Sequence, residues 1–324
     1  MPTYFRNNIK VWKDELYMKY FIGVDLGGTN IAVGLINEDG KILTKKSIPT
    51  DIENGCDAIM ENISELCSDV CETYGIAINE VEKIGIGIPG TVSQKTGMVM
   101  YSCNLPFEKV NIREIISQKC GRPVTVLNDA DAAAYGEYIA ADSKAGSFIC
   151  ITLGTGIGAG IIINGRIYNG FNSAGAEIGH ITLIKDGIQC SCGRSGCWEK
   201  YASASALVSQ TKEALKKNPD SIMANYKEID GKTAFRAAEK GDLTAKEVVN
   251  KYIEYVAEGL VNVVNIFQPE QLVIGGGISR EGEAFVSKIR EFVYKYDYNR
   301  YMDKTKISAA TLFNDAGIIG AALY

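Results

Sequence analysis

From Phe21 onward the chain alternates short apolar runs with glycine-containing turns, the pattern of strands. FIGVDLGG (21–28) reads as one strand and TNIAVGLI (29–36) as a second. After the turn Asn37–Gly40, KILTKKSI (41–48) reads as a third, giving a β-meander with a Gly-rich first turn. A helix is expected from about Asp57 to Tyr74, and KIGIGIPG (83–90) returns to a buried strand that ends in a Gly-Pro loop. In the last third, Val248, Val249, Tyr252, Ile253, Val256, Leu260, Val263, Val264 and Phe267 keep helical spacing across Thr244–Phe267, and Pro269 stops the run. QLVIGGGIS (271–279) reads as a strand, and Glu283–Tyr296 as another helix.

The strand–turn–strand unit occurs twice. Leu26–Asn37 resembles Leu153–Asn164 at a constant offset of 127 residues, each copy an apolar strand, a Gly/Thr turn and a second apolar strand. The repeat points to two similar domains, each presenting a Gly/Thr hairpin. A length of 324 residues suits that reading, since single cores rarely grow much beyond ~200 residues.

Composition narrows the classes. The chain is 46% hydrophobic and 23% charged with a net charge of −5, which argues against a nucleic-acid groove or an anionic membrane surface as partner. Residues 1–20 carry no signal-like apolar stretch, and the longest apolar run, Phe148–Ile163, includes four glycines and is short for a bilayer. A cytoplasmic location is expected. Nine cysteines in a chain that can bury its own core point to a reducing compartment, so a cysteine cluster is tested first as a metal site.

His180, the only histidine, is followed by Cys190, Cys192 and Cys197. Three thiolates and one imidazole make a closed tetrahedral zinc site, structural because no position stays open for water. Gly193 and Gly196 allow the sharp turns such a loop needs. Cys56, Cys67, Cys71, Cys103, Cys120 and Cys150 show no such spacing and read as small buried hydrophobes.

Three Gly-rich turns suit phosphate, because backbone N–H groups without a Cβ nearby can approach its oxygens: Gly27-Gly28-Thr29, Gly154-Thr155-Gly156 and Gly275-Gly276-Gly277. Asp25 adds an oxygen ligand suited to Mg²⁺, with the Thr29 hydroxyl close by. No GxxxxGK[ST] loop is present. Gly154–Ala159 fits a dinucleotide fingerprint, but a β-branched strand follows it where a helix would have to begin. Asp129 ends an apolar strand and precedes a helix-forming run, a position that faces the ligand crevice of an α/β domain. Asn128, Asp129 and Asp131 equally suit a helix N-cap.

Taken in order, Asp25-Leu-Gly-Gly-Thr29, Ile88-Pro-Gly90-Thr91, Asn128-Asp129-Ala, Gly154-Thr-Gly156, Glu177-Ile-Gly-His180 and Cys190-Ser-Cys192-Gly-Arg-Ser-Gly-Cys197-Trp-Glu199 resemble the ROK sugar kinases, and within them the glucokinases. The likeness runs from Tyr20 to Tyr324. It implies an α/β fold of two actin/hexokinase-like (ribonuclease H-like) domains around a central cleft with a zinc-binding loop, divided as 1–127 plus 311–324 and 128–310. It implies ATP-dependent phosphorylation of a hexose, glucose to glucose 6-phosphate first among them, with ATP, Mg²⁺ and structural Zn²⁺, in a homodimer or higher homo-oligomer.

By the same likeness, Asp129 is the base toward the sugar 6-hydroxyl. Gly90, Ser102, Asn128, Asp129, Glu177, His180 and Glu199 hold the sugar. Thr29 and Thr155 face the ATP phosphates, with Asp25, Gly27, Gly28, Gly154 and Gly156 around them, and Gly275–Gly277 take the adenosine, which favours a nucleotide over polyphosphate as donor. His180 would serve twice, one ring nitrogen on zinc and the other toward the sugar.

Phe107, Asp131 and Ala176 depart from the family's frequent Trp, Asn and Gly, and the first two bear on sugar preference. Residues 1–17 fall outside the resemblance, which makes Met18 a candidate start. A repressor of the family would need ~60 residues of helix-turn-helix, and only about twenty precede Asp25. A kinase for N-acetylmannosamine, N-acetylglucosamine or another hexose shares the motifs, and a sugar sensor without activity is the remaining alternative.

Overall fold

The structure, a computed structural model, describes residues 18–102, 104–141 and 144–324. Residues 1–17, and with them the question of a start at Met18, lie outside the described residues, as does Cys103. The chain forms two compact units, one of residues up to Ala140 together with Asp315–Tyr324, the other of Ala141–Asn314.

The first unit is built on a five-stranded sheet ordered β3-β2-β1-β4-β8. Its strands are β1 (Tyr20–Leu26), β2 (Asn30–Asn37), β3 (Ile42–Pro49), β4 (Val81–Ile88) and β8 (Val124–Asn128). β1, β2 and β3 form the expected antiparallel meander, while β4 and β8 run parallel to β1. A small sheet of β5 (Thr91–Ser93), β6 (Met98–Tyr101) and β7 (Glu108–Asn111) follows β4.

Helix α1 (Gly55–Tyr74) buries Ile59, Met60, Ile63, Leu66, Cys67, Val70 and Cys71, one stripe at three- and four-residue spacing. It stops at Gly75, whose φ of 94° lets its N–H reach the Cys71 carbonyl. Two further helices are α2 (Ile112–Cys120) and α3 (Asp129–Ala140). The terminal helix (Ala316–Leu323) returns to this unit and lies directly on the sheet. Only glycine permits that approach: a Cβ at Gly23 would fall 1.9 Å from the Ile318 carbonyl oxygen, and one at Gly85 1.7 Å from that of Ala321. The same helix explains why the unit extends through α3 rather than ending at 127. A Cβ at Gly136 of α3 would meet the Ala316 carbonyl at 2.2 Å, so α3 is locked to the terminal helix.

The second unit repeats the plan. Its sheet is ordered β11-β10-β9-β12-β13, from β9 (Ser147–Leu153), β10 (Ile157–Ile163), β11 (Arg166–Ile167), β12 (Gln271–Gly275) and β13 (Lys306–Ala309). Again three strands are antiparallel and two are parallel to the first. Moving β1 along by the 127-residue offset lands on Ser147–Leu153, which is β9 residue for residue. The internal repeat is therefore structural.

Helices α4 (Glu199–Ala202), α5 (Ala204–Lys217), α6 (Thr233–Glu239), α7 (Leu243–Phe267) and α8 (Glu283–Tyr296) complete the unit. The Asp242 side chain caps α7 by accepting from the Ala245 N–H at 2.7 Å. Every apolar position named for this helix is buried except Phe267, which is half-buried at its end. Among the described residues, no helix is long and apolar enough to cross a membrane.

Candidate active site and metal centre

In the first unit the parallel strands β1, β4 and β8 deliver their carboxyl ends to one edge, the edge at which open α/β sheets bind ligands. Asp25 stands in register with Gly87, and Ile88 with Asn128, so Asp25, the Gly90 loop, Asn128 and Asp129 share that edge. Asn128 joins two of them. Its Nδ2 donates to the Gly90 carbonyl at 3.0 Å, and its Oδ1 accepts from the Ala130 N–H at 2.9 Å, capping α3. Asp129 also accepts from the Ala130 N–H, at 2.9 Å. Burial holds the Asp129 carboxyl above the ordinary aspartate range, partly offset by these backbone donors.

Asp25 is pushed up to about 6 by burial first and then by the Asp129 carboxylate, with Lys45 opposing. Two partly buried carboxylates thus repel one another at the strand ends, an arrangement that a cation would relieve. Gly317 makes room for one of them, since a Cβ there would lie 3.0 Å from the Asp25 carboxyl carbon.

Gly90 has a φ of 120°, and its bare Cα lies so close to Ser102 that a Cβ would be 3.0 Å from the Ser102 Cα. Ser102 Oγ is buried without a hydrogen-bond partner among the described residues, the state of a hydroxyl that awaits a ligand or water. The Gly27–Thr29 turn closes by a Gly27 N–H to Asn30 carbonyl bond of 2.9 Å and leaves Thr29 exposed. Thr50 fixes it from the side: its N–H donates to the Thr29 carbonyl at 2.8 Å and its hydroxyl to that of Gly27 at 2.7 Å. Neither Thr50 nor Lys45 carries a sequence signal, because each acts through a contact that only the fold creates.

The second unit collects the remaining residues. Gly154 and Gly156 close the β9–β10 turn with a 3.0 Å bond and leave Thr155 exposed. Gly276, at φ 85°, abuts the end of β9, where a Cβ would meet the Leu153 carbonyl oxygen at 2.4 Å. The turn at 154–156 and the loop at 275–277 are therefore neighbours. Glu199 reaches the turn as well, with Oε2 placed 2.7 Å from where a Gly156 Cβ would stand. Its Oε1 accepts from Cys190 Sγ at 3.0 Å and lies 3.7 Å from His180 Nδ1. Glu177 is exposed and opens the short turn that carries His180, whose N–H donates to the Glu177 carbonyl at 3.1 Å.

His180, Cys190, Cys192 and Cys197 place one donor atom each within 4.8 Å of all the others. Cys192 and Cys197 sulfurs are 3.5 Å apart, and Cys190 Sγ is 3.7 Å from His180 Nδ1. A tetrahedral ion with metal–sulfur bonds of about 2.3 Å sets sulfur–sulfur edges of about 3.8 Å, so this donor set fits a metal ion. The loop is held by its own backbone. Cys190 N–H bonds the Arg194 carbonyl at 2.8 Å, and at Gly196 (φ 83°) a Cβ would strike the Ile184 carbonyl oxygen at 1.7 Å. Trp198, fully buried, anchors it: Nε1 donates to the Tyr255 carbonyl at 2.8 Å, and the indole fills the space that a side chain at Gly259 would need.

A duplicated sheet that presents a Gly/Thr hairpin in each half, with this metal-binding loop, defines an α/β protein of two actin/hexokinase-like domains. The chain belongs to the ROK family, whose model matches residues 21–324. It is 36% identical to a glucokinase of Thermotoga maritima over 93% of this chain and 95% of that protein. A glucokinase of Halalkalibacterium halodurans is 34% identical over 93% of each chain. Among solved structures, a ROK family glucokinase from Streptomyces griseus in complex with glucose and AMPPNP is 35% identical with a TM-score of 0.80, covering 94% of this chain and 98% of that one.

Proposed function

We propose that this protein transfers the γ-phosphoryl group of ATP to the 6-hydroxyl of a hexose, with glucose as the preferred acceptor. The observation that carries the reading is the pair Asp25 and Asp129 at the carboxyl ends of β1 and β8, both raised by burial, in a chain similar over nearly its whole length to glucokinases. A base for a sugar hydroxyl and an oxygen ligand for a divalent cation are the two groups that phosphoryl transfer asks of a protein beyond positioning.

In this reading Asp129 takes the proton from the attacking hydroxyl. Asn128 holds it in place through the Ala130 amide and the Gly90 loop. Gly90, Ser102, Asn128, Glu177, His180 and Glu199 hold sugar hydroxyls, and the unpartnered Ser102 hydroxyl supports that assignment. Thr29 and Thr155, exposed on their turns, face the phosphates, with Gly27, Gly28, Gly154 and Gly156 as amide cradles; Gly275–Gly277 receive the adenosine. Asp25 would hold Mg²⁺, which supplies neutralising charge to the phosphates when bound.

His180, Cys190, Cys192 and Cys197 would hold Zn²⁺, which fixes the loop and supplies no chemistry of its own. With Nδ1 turned to the sulfurs, the other ring nitrogen of His180 is free to meet the sugar. We place the protein in the cytoplasm as a homodimer or higher homo-oligomer, the family's habit. Release of ADP by purified protein, measured over a panel of hexoses and N-acetylhexosamines with zinc analysis of the same sample, tests the reading. Glucose-dependent ADP is expected, and no ADP with any sugar refutes it.

A further inference from the structure

The loop between α8 and β13 carries large side chains that the core does not use. Tyr298 and Tyr301 are 90% and 95% exposed, and Met302 is 77% exposed. Single exposed apolar residues are ordinary on a surface, but these three line one open groove of about 1020 Å³. The groove runs between the end of α7, at Asn265 and Gln268, and the loop 298–303. It lies at the amino edge of the second sheet, since β12 begins at Gln271 and β13 at Lys306, while Gly275–Gly277 leave the opposite edge.

Polar groups within the loop fix its shape. Asn299 donates from Nδ2 to the Asp303 carbonyl at 3.0 Å and accepts at Oδ1 from the Met302 N–H at 3.0 Å. The Tyr298 N–H donates to Asn265 Oδ1 at 2.8 Å, which ties the loop to α7. Lys304 donates to the Asn299 carbonyl and pairs with the buried Asp297. Two tyrosines are thus presented on an ordered backbone, where contact costs little further conformational freedom.

The charges of the groove are balanced. Arg300 and Asp303 both line it, and neither side chain has an ion-pair partner among the described residues. A nucleic-acid backbone asks for a wholly basic strip, and an apolar peptide would leave both charges unmet. A second copy of the same surface, turned about a twofold axis, meets both, because a twofold contact is self-complementary: Arg300 faces Asp303 of the partner subunit and Asp303 faces Arg300 of the partner subunit. The area agrees. Two exposed tyrosines offer on the order of 300–500 Å², about half of the ~800 Å² per partner that a stable interface buries.

We propose, resting on the homo-oligomeric state given above, that this groove is the twofold interface of the protein and that a second copy of the chain occupies it. Tyr298 and Tyr301 are its anchors, and the reciprocal Arg300–Asp303 pairs set its register.

Analytical ultracentrifugation of the intact, zinc-loaded chain across a concentration series tests this. Wild type is expected to dimerise, and Y298S/Y301S to raise the dissociation constant by at least about 30-fold per tyrosine. R300D and D303R should each weaken the dimer, because like charges then meet across the axis, and R300D/D303R together should restore it. That recovery separates a lost contact from a folding defect. A double swap that stays as weak as the single ones overturns the proposed register. A wild type that dimerises while all four variants dimerise equally well overturns the face and leaves the oligomer standing. A wild type that stays monomeric overturns both.

Discussion

Glu199 Oε2 sits 2.7 Å from the point where a Cβ on Gly156 would stand, so the carboxylate beside the cysteine loop and the turn between β9 and β10 share one space. The obstructing atom is the end of a flexible side chain rather than backbone. G156A should therefore displace the carboxylate at little cost in stability. We expect kcat/KM for the hexose to fall on the order of 10²-fold, the scale of a misplacement near 1 Å, with the melting temperature nearly unchanged. Steady-state kinetics beside a thermal melt check this, and a variant of full activity contradicts the placement of Glu199 on the sugar.

Removing the proposed base separates binding from chemistry. D129N should lower kcat by ~10²–10⁴ while leaving the KM for sugar within a few-fold. In the wild type, only the ionised carboxylate accepts a proton, and burial raises Asp129 above its ordinary 3.8. The acid limb of the kcat/KM profile should accordingly have its midpoint above pH 3.8. A profile flat across that range contradicts the role.

Asp25 carries a stability cost that changes with pH. Its folded pKa of about 6 lies above the ordinary aspartate value of 3.8, so between those values the folded state binds more protons than the unfolded state. Stability from this group is therefore present below about 4 and is lost as pH rises through 6. D25N lacks that loss and should be more stable than wild type at pH 7 by up to about 3 kcal/mol, the advantage vanishing near pH 4. Urea unfolding at both pH values without Mg²⁺ or nucleotide measures it. The variant should be catalytically poor despite its stability.

The packing of Trp198 makes a separate test of the metal loop. A Cβ at Gly259 would lie 2.0 Å from the indole ring, and Trp198 adjoins Cys197 and Glu199. G259A should cost about 1–3 kcal/mol as an overpacked core and weaken zinc retention. In wild type, about one zinc per chain is expected, and C192A or chelation should remove it together with hexose binding. Metal analysis with calorimetry reads both quantities.

Much of the site was legible because its chemistry is written in local spacing. The 127-residue offset between the two Gly/Thr hairpins reappears as β1 and β9 with matching limits. The cysteine spacing reappears as four donors around one point. The C-terminal limit of α7 was also readable, because Pro269 marks it. What was hidden depends on long-range packing. The first unit takes in α3 because Gly136 and Gly320 bring α3 and the terminal helix into backbone contact, which no local pattern announces. Thr50 and Lys45 act on the Gly27 turn and on Asp25 only after β3 has paired. Of the cysteines outside the His180 loop, Cys67, Cys71, Cys120 and Cys150 are buried free thiols, as their lack of metal-ligand spacing suggested.

The most direct test of the central claim is to incubate wild type and D129N with glucose and Mg-ATP and identify the phosphorylated product by ³¹P NMR, with glucose binding measured on both. We expect wild type to form glucose 6-phosphate and D129N to bind glucose yet form almost none. A D129N protein that phosphorylates glucose at the wild-type rate would contradict the account.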